Sequence, residues 1–146
     1  MKAFEELKGD LLTRAKNAGA CQRGYAMGLR SETKADLLMA ITENWFWVFS
    51  DEKIVDAEYL EDNFTEEELL QAGIYIRGIH KVKTSSFACG SATVEAYDSA
   101  TVEAYDNSYV EDCIGNIRPQ SDYAIVKDYY SHKIYIKKGK FEIIEV

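Results

Sequence analysis

The 146-residue sequence lacks the long apolar segments of a membrane protein. No stretch approaches the roughly 20 apolar residues that span a bilayer, and the densest aromatic run, at residues 45–49, is far too short. The N-terminal segment mixes charged and apolar residues and contains no signal-peptide hydrophobic region. We therefore expect a soluble protein of the cytoplasm that has no membrane partner.

Residues that build metal centres and catalytic sites are scarce as well. The three cysteines, Cys21, Cys89 and Cys113, form no CxxC pair, whereas structural zinc normally takes four Cys or His ligands at short spacings. Phosphate-binding glycine loops, GxSxG and HExxH motifs are missing. Neither His80 nor His132 has a flanking signature that would make it the base for Cys21. We expect reduced thiols, no metal, no other cofactor, no catalytic residues and no enzyme activity.

Basic residues are outnumbered by acidic ones. The sequence has 17 Lys and Arg residues and 25 Asp and Glu residues, which gives a formal net charge of −8. Because phosphate repels carboxylate, this balance argues against a direct nucleic-acid partner and permits a basic protein surface as the partner. Acidity also serves solubility alone, so net charge does not choose between these two interpretations.

The N-terminal half of the chain, residues 1–73, is predicted to be helical. Apolar residues at helical spacing predict three helices before residue 44, the third beginning at an N-cap that is either Ser31 or Thr33. Thr65 and Glu68 form a capping-box pattern that opens a last short helix. These spacings place the helices in the N-terminal half of an α+β chain.

Two segments of this region have an unusual composition. Residues 44–50, NWFWVFS, carry too many aromatic side chains to face one side of a single helix. The segment is therefore either buried all round or partly exposed as a hot spot for a partner. Residues 51–68 carry nine carboxylates and one lysine, which is most simply the solvated face of helices.

The octapeptide SATVEAYD occurs twice in succession, at 91–98 and 99–106. Within each copy, Ala, Val and Ala alternate with Thr, Glu and Tyr, as the two faces of a strand do. The pairs Asp98-Ser99 and Asp106-Asn107 at the ends of the copies are turn formers. The small inner face predicts a β-solenoid in which each octad forms one side of a coil. An antiparallel meander of hairpins is the alternative. We predict a helical region over residues 1–73 and a β-repeat region over residues 74–146.

The octad frame predicts an acidic stripe that also bears tyrosines. The candidate partner-binding residues are the outward-facing acids and tyrosines of the repeats: Glu95, Tyr97, Asp98, Glu103, Tyr105, Asp106 and Glu111. Cys89 and Cys113 occupy the position of the tyrosine in neighbouring octads. The stripe is either ordinary solvated surface or a docking face for a basic protein.

The C-terminal segment predicts two strands, at residues 134–137 and 141–146, around a Lys-Gly turn. Residues 129–141 contain no acid, and their lysines are Lys133, Lys137, Lys138 and Lys140. These lysines either protect the edge of the last strand or face the acidic stripe of a second copy, which would give a homodimer.

The element CQRGYAMGL at 21–29, followed by GSATVEAYDSATVEAYDNSYVED at 90–112, resembles small proteins that phages and mobile elements of gut bacteria carry. This group is similar to the one from which some anti-CRISPR proteins, inhibitors of the RNA-guided type II nuclease, were drawn. The resemblance implies a non-enzymatic inhibitor, acting in the host bacterial cell, that binds the CRISPR nuclease through an acidic, aromatic surface. The alternative is a structural or self-assembling β-repeat module of a phage or mobile element.

Overall fold

The computed structural model describes residues 1–137 and 141–145. Contacts divide the chain into two compact units, Met1–Ala72 and Gly73–Val146, and this division lies next to the predicted boundary. The first unit is helical and the second is a β-solenoid of about three turns, which confirms the predicted α+β class. No helix among the described residues is long and apolar enough to cross a membrane.

The helical unit begins with three α-helices and ends with two short ones. Its helices are α1 (Phe4–Asn17), α2 (Gln22–Arg30), α3 (Lys34–Glu43), a π-helix (Phe46–Asp51), α4 (Ala57–Asn63) and α5 (Glu66–Gln71). Thr33, and not Ser31, is the N-cap of α3. Thr65 opens α5 and forms the predicted capping box with Glu68, so that side chains satisfy backbone N–H groups in the first turn of each helix.

The aromatic segment at residues 44–50 is divided between core and surface. Trp45, Val48 and Phe49 are buried, and the Trp45 and Phe49 rings stack with their centroids 4.6 Å apart. Phe46, in contrast, is 61% exposed. The segment is therefore partly exposed and not buried all round.

The solenoid consists of two sheets. Its strands are β1 (Ile74–Tyr75), β2 (Ile79–Val82), β3 (Ser86–Ala88), β4 (Thr93–Ala96), β5 (Val102–Ala104), β6 (Tyr109–Asp112), β7 (Ile125–Asp128), β8 (Lys133–Lys137) and β9 (Phe141–Glu145). The smaller sheet has the order β1-β3-β5, and the larger has the order β2-β4-β6-β7-β8-β9. Pairing is parallel up to β7 and antiparallel from β7 to β9.

Two octads make one coil of the solenoid. Thr93 of β4 pairs with Tyr109 of β6, and Tyr109 pairs with Ile125 of β7, so equivalent residues are separated by the length of two octads. The two identical octads consequently lie in different sheets, β4 in the larger and β5 in the smaller. This parallel arrangement excludes the antiparallel meander for the repeats.

The turn between octads requires a positive φ angle at its first central residue. Gly90, Asp98 and Asp106, which share the eighth position of the octad, have φ angles of 57°, 55° and 51°. Each turn is closed by a backbone hydrogen bond, such as that from Ala100 N–H to Tyr97 O at 3.0 Å. Glycine adopts a positive φ without strain and aspartate tolerates it better than most residues, which explains why these types recur at the corner.

Small apolar residues fill the space between the sheets. Val94, Val110 and Val126 are aligned on successive coils and fully buried. The inner position beside them changes from Ala96 to Asp112 in the next coil, and the carboxylate of Asp112 accepts backbone N–H groups of the loop that follows. The predicted thin core is therefore confirmed, and the buried carboxylate of Asp112 organises the loop after β6.

The strands predicted near the C-terminus correspond to β8 and β9. Strand β8 starts at Lys133, just before the predicted start, and β9 ends at Glu145. The Lys-Gly turn with Lys138 and Lys140, and Val146, lie outside the described residues. Strand β9 is the last strand in the order of the larger sheet.

Candidate partner-binding surface

Strands β2, β4, β6 and β7 place one column of charged side chains on the outer face of the larger sheet. The column consists of residues that are paired in register: Lys81, Glu95, Glu111 and Lys127. Lys81 Nζ lies 3.4 Å from Glu95 Oε2. Because a lysine stands at each end of the two glutamates, the repulsion between stacked carboxylates is offset within the sheet.

Tyrosine hydroxyls hold the two glutamates in place. Tyr97 donates to Glu95 Oε2 at 2.9 Å, while Glu111 Oε1 accepts hydrogen bonds from Tyr129 at 3.1 Å and Tyr109 at 3.4 Å. We call these five residues the tyrosine–carboxylate cluster. The hydrogen bond to Glu95 raises the pKa of the Tyr97 hydroxyl above its ordinary value, because the carboxylate stabilises the protonated phenol that donates to it.

The prediction of one stripe containing Glu95, Glu103 and Glu111 is wrong. Glu95 and Glu111 are neighbours on the larger sheet, but Glu103 belongs to β5 of the smaller sheet, where it is paired in register with Phe87. Consecutive octads face opposite sides of the coil, so only every second glutamate enters the same column. The stripe is also not acidic throughout, since Lys81 and Lys127 continue it.

The prediction that Tyr105 faces outward is wrong as well. Tyr105 is only 2% exposed, whereas Tyr97, at the same position of an identical octad, is half-buried and reaches Glu95. Cys89 and Cys113 differ in the same way, buried and exposed respectively. The two ends of a coil therefore differ, and residues two octads apart share an environment while residues one octad apart do not.

The two predicted aspartates are corner residues of the coil. Asp98 is exposed, and its carboxylate lies 3.3 Å from Lys83 Nζ. Asp106 is half-buried and accepts a hydrogen bond from Gly90 N–H at 2.9 Å, which ties one coil to the previous one. The Asp106 carboxylate therefore has a partner within the solenoid. Of the seven predicted residues, only Glu95, Tyr97 and Glu111 belong to the tyrosine–carboxylate cluster.

The sequence interpretation missed Tyr109 and Tyr129, which complete the cluster, and the flanking lysines. A signal for Tyr129 was present, because Tyr97, Cys113 and Tyr129 occupy the same position in every second octad. This spacing indicates that the three residues are neighbours only if two octads, and not one, form the structural unit. Lys127 lies over the Tyr129 ring, with Nζ 4.6 Å from the centroid.

The net charge of the chain is concentrated in the helical unit. Residues 1–72 carry fifteen acidic and eight basic side chains, a net charge of −7, whereas residues 73–146 carry ten and nine, a net charge of −1. The exposed carboxylates of α4 and α5 belong to this excess, and we call them the acidic helix carboxylates: Glu58, Asp62, Glu66 and Glu67. Within residues 1–137 and 141–145, none of these four forms an ion pair.

No family model matches this chain, and neither a curated protein nor a solved structure matches it. Its geometry offers two surfaces of different character. The tyrosine–carboxylate cluster is aromatic and nearly balanced in charge with its flanking lysines, whereas the acidic helix carboxylates are strongly negative and have no ion-pair partners among the described residues.

Proposed function

We propose that the protein is a non-enzymatic inhibitor that binds a basic surface of an RNA-guided CRISPR nuclease in the host bacterial cell. The observation that carries this proposal is the net charge of −7 on residues 1–72, together with the acidic helix carboxylates, which form no ion pair within the described residues. The resemblance of residues 21–29 and 90–112 to proteins of phages and mobile elements supports the identity of the partner. Type II nucleases hold their nucleic acids in positively charged channels.

The acidic helix carboxylates are better placed than the repeat glutamates to attract a basic partner. Glu95 and Glu111 already have lysines and tyrosine hydroxyls as neighbours, so a partner's cations would have to compete with them. Exposed carboxylates without such neighbours keep their full long-range field, and complementary fields raise association rates. We therefore assign the electrostatic attraction to α4 and α5.

The tyrosine–carboxylate cluster supplies a second contact of another kind. Its tyrosines present apolar area, and their hydroxyls are already oriented by Glu95 and Glu111. Tyrosine is enriched at interfaces because it loses little conformational freedom relative to its contact area. Binding through this surface would depend less on salt than binding through the acidic helices.

A DNA-cleavage assay with several type II nucleases tests the proposal through three charge-reversal variants. The first variant combines Glu58→Lys, Asp62→Lys and Glu66→Lys in α4 and α5. The second changes Glu95, Glu103 and Glu111 to Lys in the repeats. The matched control changes three glutamates elsewhere in the helical unit by the same amount of charge: Glu6→Lys, Glu32→Lys and Glu43→Lys.

We expect wild-type protein to suppress cleavage by at least one nuclease, and the α4–α5 variant to lose most of this inhibition. The repeat variant should lose less, and the control should stay close to wild type. A pull-down at low salt in which none of the nucleases retains the wild-type protein would refute the proposal. Equal losses in the α4–α5 variant and the control would refute the assignment to α4 and α5.

A second candidate is a self-assembling module, and the position and exposure of β2 favour it. Within the described residues β2 pairs with β4 alone, and a strand that is paired on one side can add a further strand. Ile79 is 73% exposed. Light scattering should then show assembly that rises with concentration and disappears in Ile79→Lys. A monomer at about 1 mM, where weak contacts are populated, would contradict this candidate, including its homodimer form.

A further inference from the structure

The helical unit contains an apolar cavity of about 260 Å³ that none of the preceding assignments uses. Helices α1, α2 and α3, the π-helix and the segment after it line this cavity. The residues that matter for its chemistry are Ala15, Gly24, Tyr25, Ala40, Asn44 and Trp47. No charged side chain belongs to the lining within the described residues. The cavity therefore favours an uncharged occupant, because an ion would lose its hydration without gaining a partner.

Helix α2 contributes two glycines, Gly24 and Gly28, to the wall of this cavity. No residue of α2 is buried, although the helix packs beside α1 and α3. Gly28 meets Leu12 so closely that an added Cβ would lie 3.1 Å from Leu12 Cδ2. At Gly24, an added Cβ would lie 3.4 Å from the side-chain oxygen of Asn44. The lack of a side chain at Gly24 thus leaves this oxygen uncovered on that side.

Asn44 supplies one hydrogen-bond acceptor in the cavity wall. Its Nδ2 donates to Ala40 O at 2.8 Å and approaches Met27 Sδ at 3.7 Å, which determines the orientation of the amide. Its Oδ1 accepts no hydrogen bond from the residues that the structure describes. An oriented acceptor among mostly apolar walls is the usual arrangement by which a small-molecule site selects a donor group.

We propose that the cavity binds one compact, uncharged aromatic molecule whose single N–H or O–H group donates to Asn44 Oδ1. At about 260 Å³ the cavity lies just below the roughly 300–1,000 Å³ of pockets that take drug-sized ligands, so it suits a small ring system. The rings of Tyr25 and Trp47 in the wall favour a flat partner. Indole has the size, shape and donor that these features require.

The driving force is the release of water from poorly hydrated walls, and the hydrogen bond to Asn44 adds selectivity. A molecule of about nine heavy atoms with ordinary ligand efficiency gives a Kd on the order of 0.1–1 mM. The isosteric hydrocarbon indene fits the same space but leaves Asn44 Oδ1 without a donor. We expect indene to bind roughly five- to tenfold more weakly.

An NMR titration of amide chemical shifts with indole and with indene tests this proposal. Indole should shift resonances around the cavity, including those of Ala15, Gly24 and Trp47, and leave the solenoid unchanged. In Asn44→Leu, indole and indene should bind with equal affinity. Absence of saturable shifts with both molecules, or an unchanged preference for indole in Asn44→Leu, would overturn the proposal.

A cavity-filling pair of variants separates occupancy of the cavity from binding elsewhere. Ala40→Phe places a ring in the cavity, whereas Ala35→Phe adds the same ring on the exposed side of the same helix, α3. We expect Ala40→Phe to abolish the indole shifts and Ala35→Phe to keep them. Thermal unfolding shows whether Ala40→Phe disturbs the fold. Ala15→Leu fills the cavity with a smaller side chain and serves as the second variant in that case. Undiminished binding in folded Ala40→Phe and Ala15→Leu would exclude the cavity as the site. These results neither support nor refute nuclease inhibition, because no residue assigned to nuclease binding lines the cavity.

Discussion

At the scale of single residues, the inner face of the solenoid includes a polar side chain, Ser108, that its surroundings do not satisfy. Ser108 is fully buried, and its hydroxyl has no hydrogen-bond partner among the described residues. The corresponding residues in other octads are Ala92, Ala100 and Ala124, all buried. A buried hydroxyl without a partner loses its hydration and gains nothing in return.

We expect Ser108→Ala to stabilise the protein by about 1 kcal/mol, because it removes this unsatisfied group at nearly constant shape. Urea denaturation measures the change as a shift of the midpoint at constant slope. The control is Ser99→Ala, at an exposed turn position, which should change the free energy of unfolding by less than about 0.5 kcal/mol. A loss of stability in Ser108→Ala would show that the hydroxyl has a partner, such as a buried water.

Asp128 is also buried, but its carboxylate, unlike the Ser108 hydroxyl, accepts several hydrogen bonds. Burial by itself raises the pKa of this carboxyl, but hydrogen bonds from Ser131 and Tyr130 N–H and the nearby Arg118 outweigh it, so the pKa lies below the ordinary value. A lowered pKa in the folded state contributes stability that is present above the unfolded pKa of about 3.9. That contribution is lost as pH falls through the lower, folded value.

The free energy of unfolding of the wild type should therefore decline more steeply below about pH 4 than that of Asp128→Asn, which has no carboxyl to protonate. Ser131→Ala, which removes the hydroxyl donor, should give an intermediate slope. Urea titrations between about pH 2.5 and 6 measure these slopes. Equal slopes in all three proteins would contradict a lowered pKa of Asp128.

At the scale of elements, helices whose ends are specified locally were predictable. Thr65 and Glu68 satisfy each other's backbone N–H groups across the first turn of α5, as their spacing indicated. For α3, the choice between Ser31 and Thr33 depended on Asp36, whose carboxylate accepts the Thr33 N–H at 2.9 Å. Caps involve residues three positions apart, so the sequence nearly suffices to identify them.

We expect Thr65→Ala to destabilise the protein by about 1 kcal/mol, because Glu68 N–H in the first turn loses its acceptor. Thr65→Ser keeps the hydroxyl and should recover most of that loss. Chemical denaturation of the two variants measures the difference. An equal loss in both would mean that the methyl group of Thr65, and not its hydroxyl, stabilises α5.

At the scale of the whole molecule, the coil and not the octad is the unit of the solenoid. Gly90 and Asp106 stand at equivalent corners of successive coils, both have a positive φ, and a hydrogen bond joins them. Removing residues 91–106 would connect Gly90 to Asn107 at an equivalent corner, so that β6 could replace β4 beside β2. Removing one octad would instead direct β6 to the wrong sheet.

We expect deletion of residues 91–106 to leave a cooperatively folded protein, because stacked coils contact only their neighbours. Deletion of residues 99–106 alone should abolish cooperative unfolding, although it removes half as much of the chain. Circular dichroism during thermal unfolding distinguishes the two. If the single-octad deletion folds as cooperatively as the double, a coil of two octads is not required.

The sequence by itself determined the properties that depend on nearby residues: the order of helices and strands, the capping boxes, the turn positions and the small inner face. Tertiary structure alone decided which outward residues meet. The octads at 91–98 and 99–106 are identical, so no property within the octad distinguishes Glu95 from Glu103 or Tyr97 from Tyr105. Closure of the coil after two octads places Glu95 beside Glu111 and buries Tyr105, because strand pairing between successive coils, and not local preference, sets each side chain's neighbours.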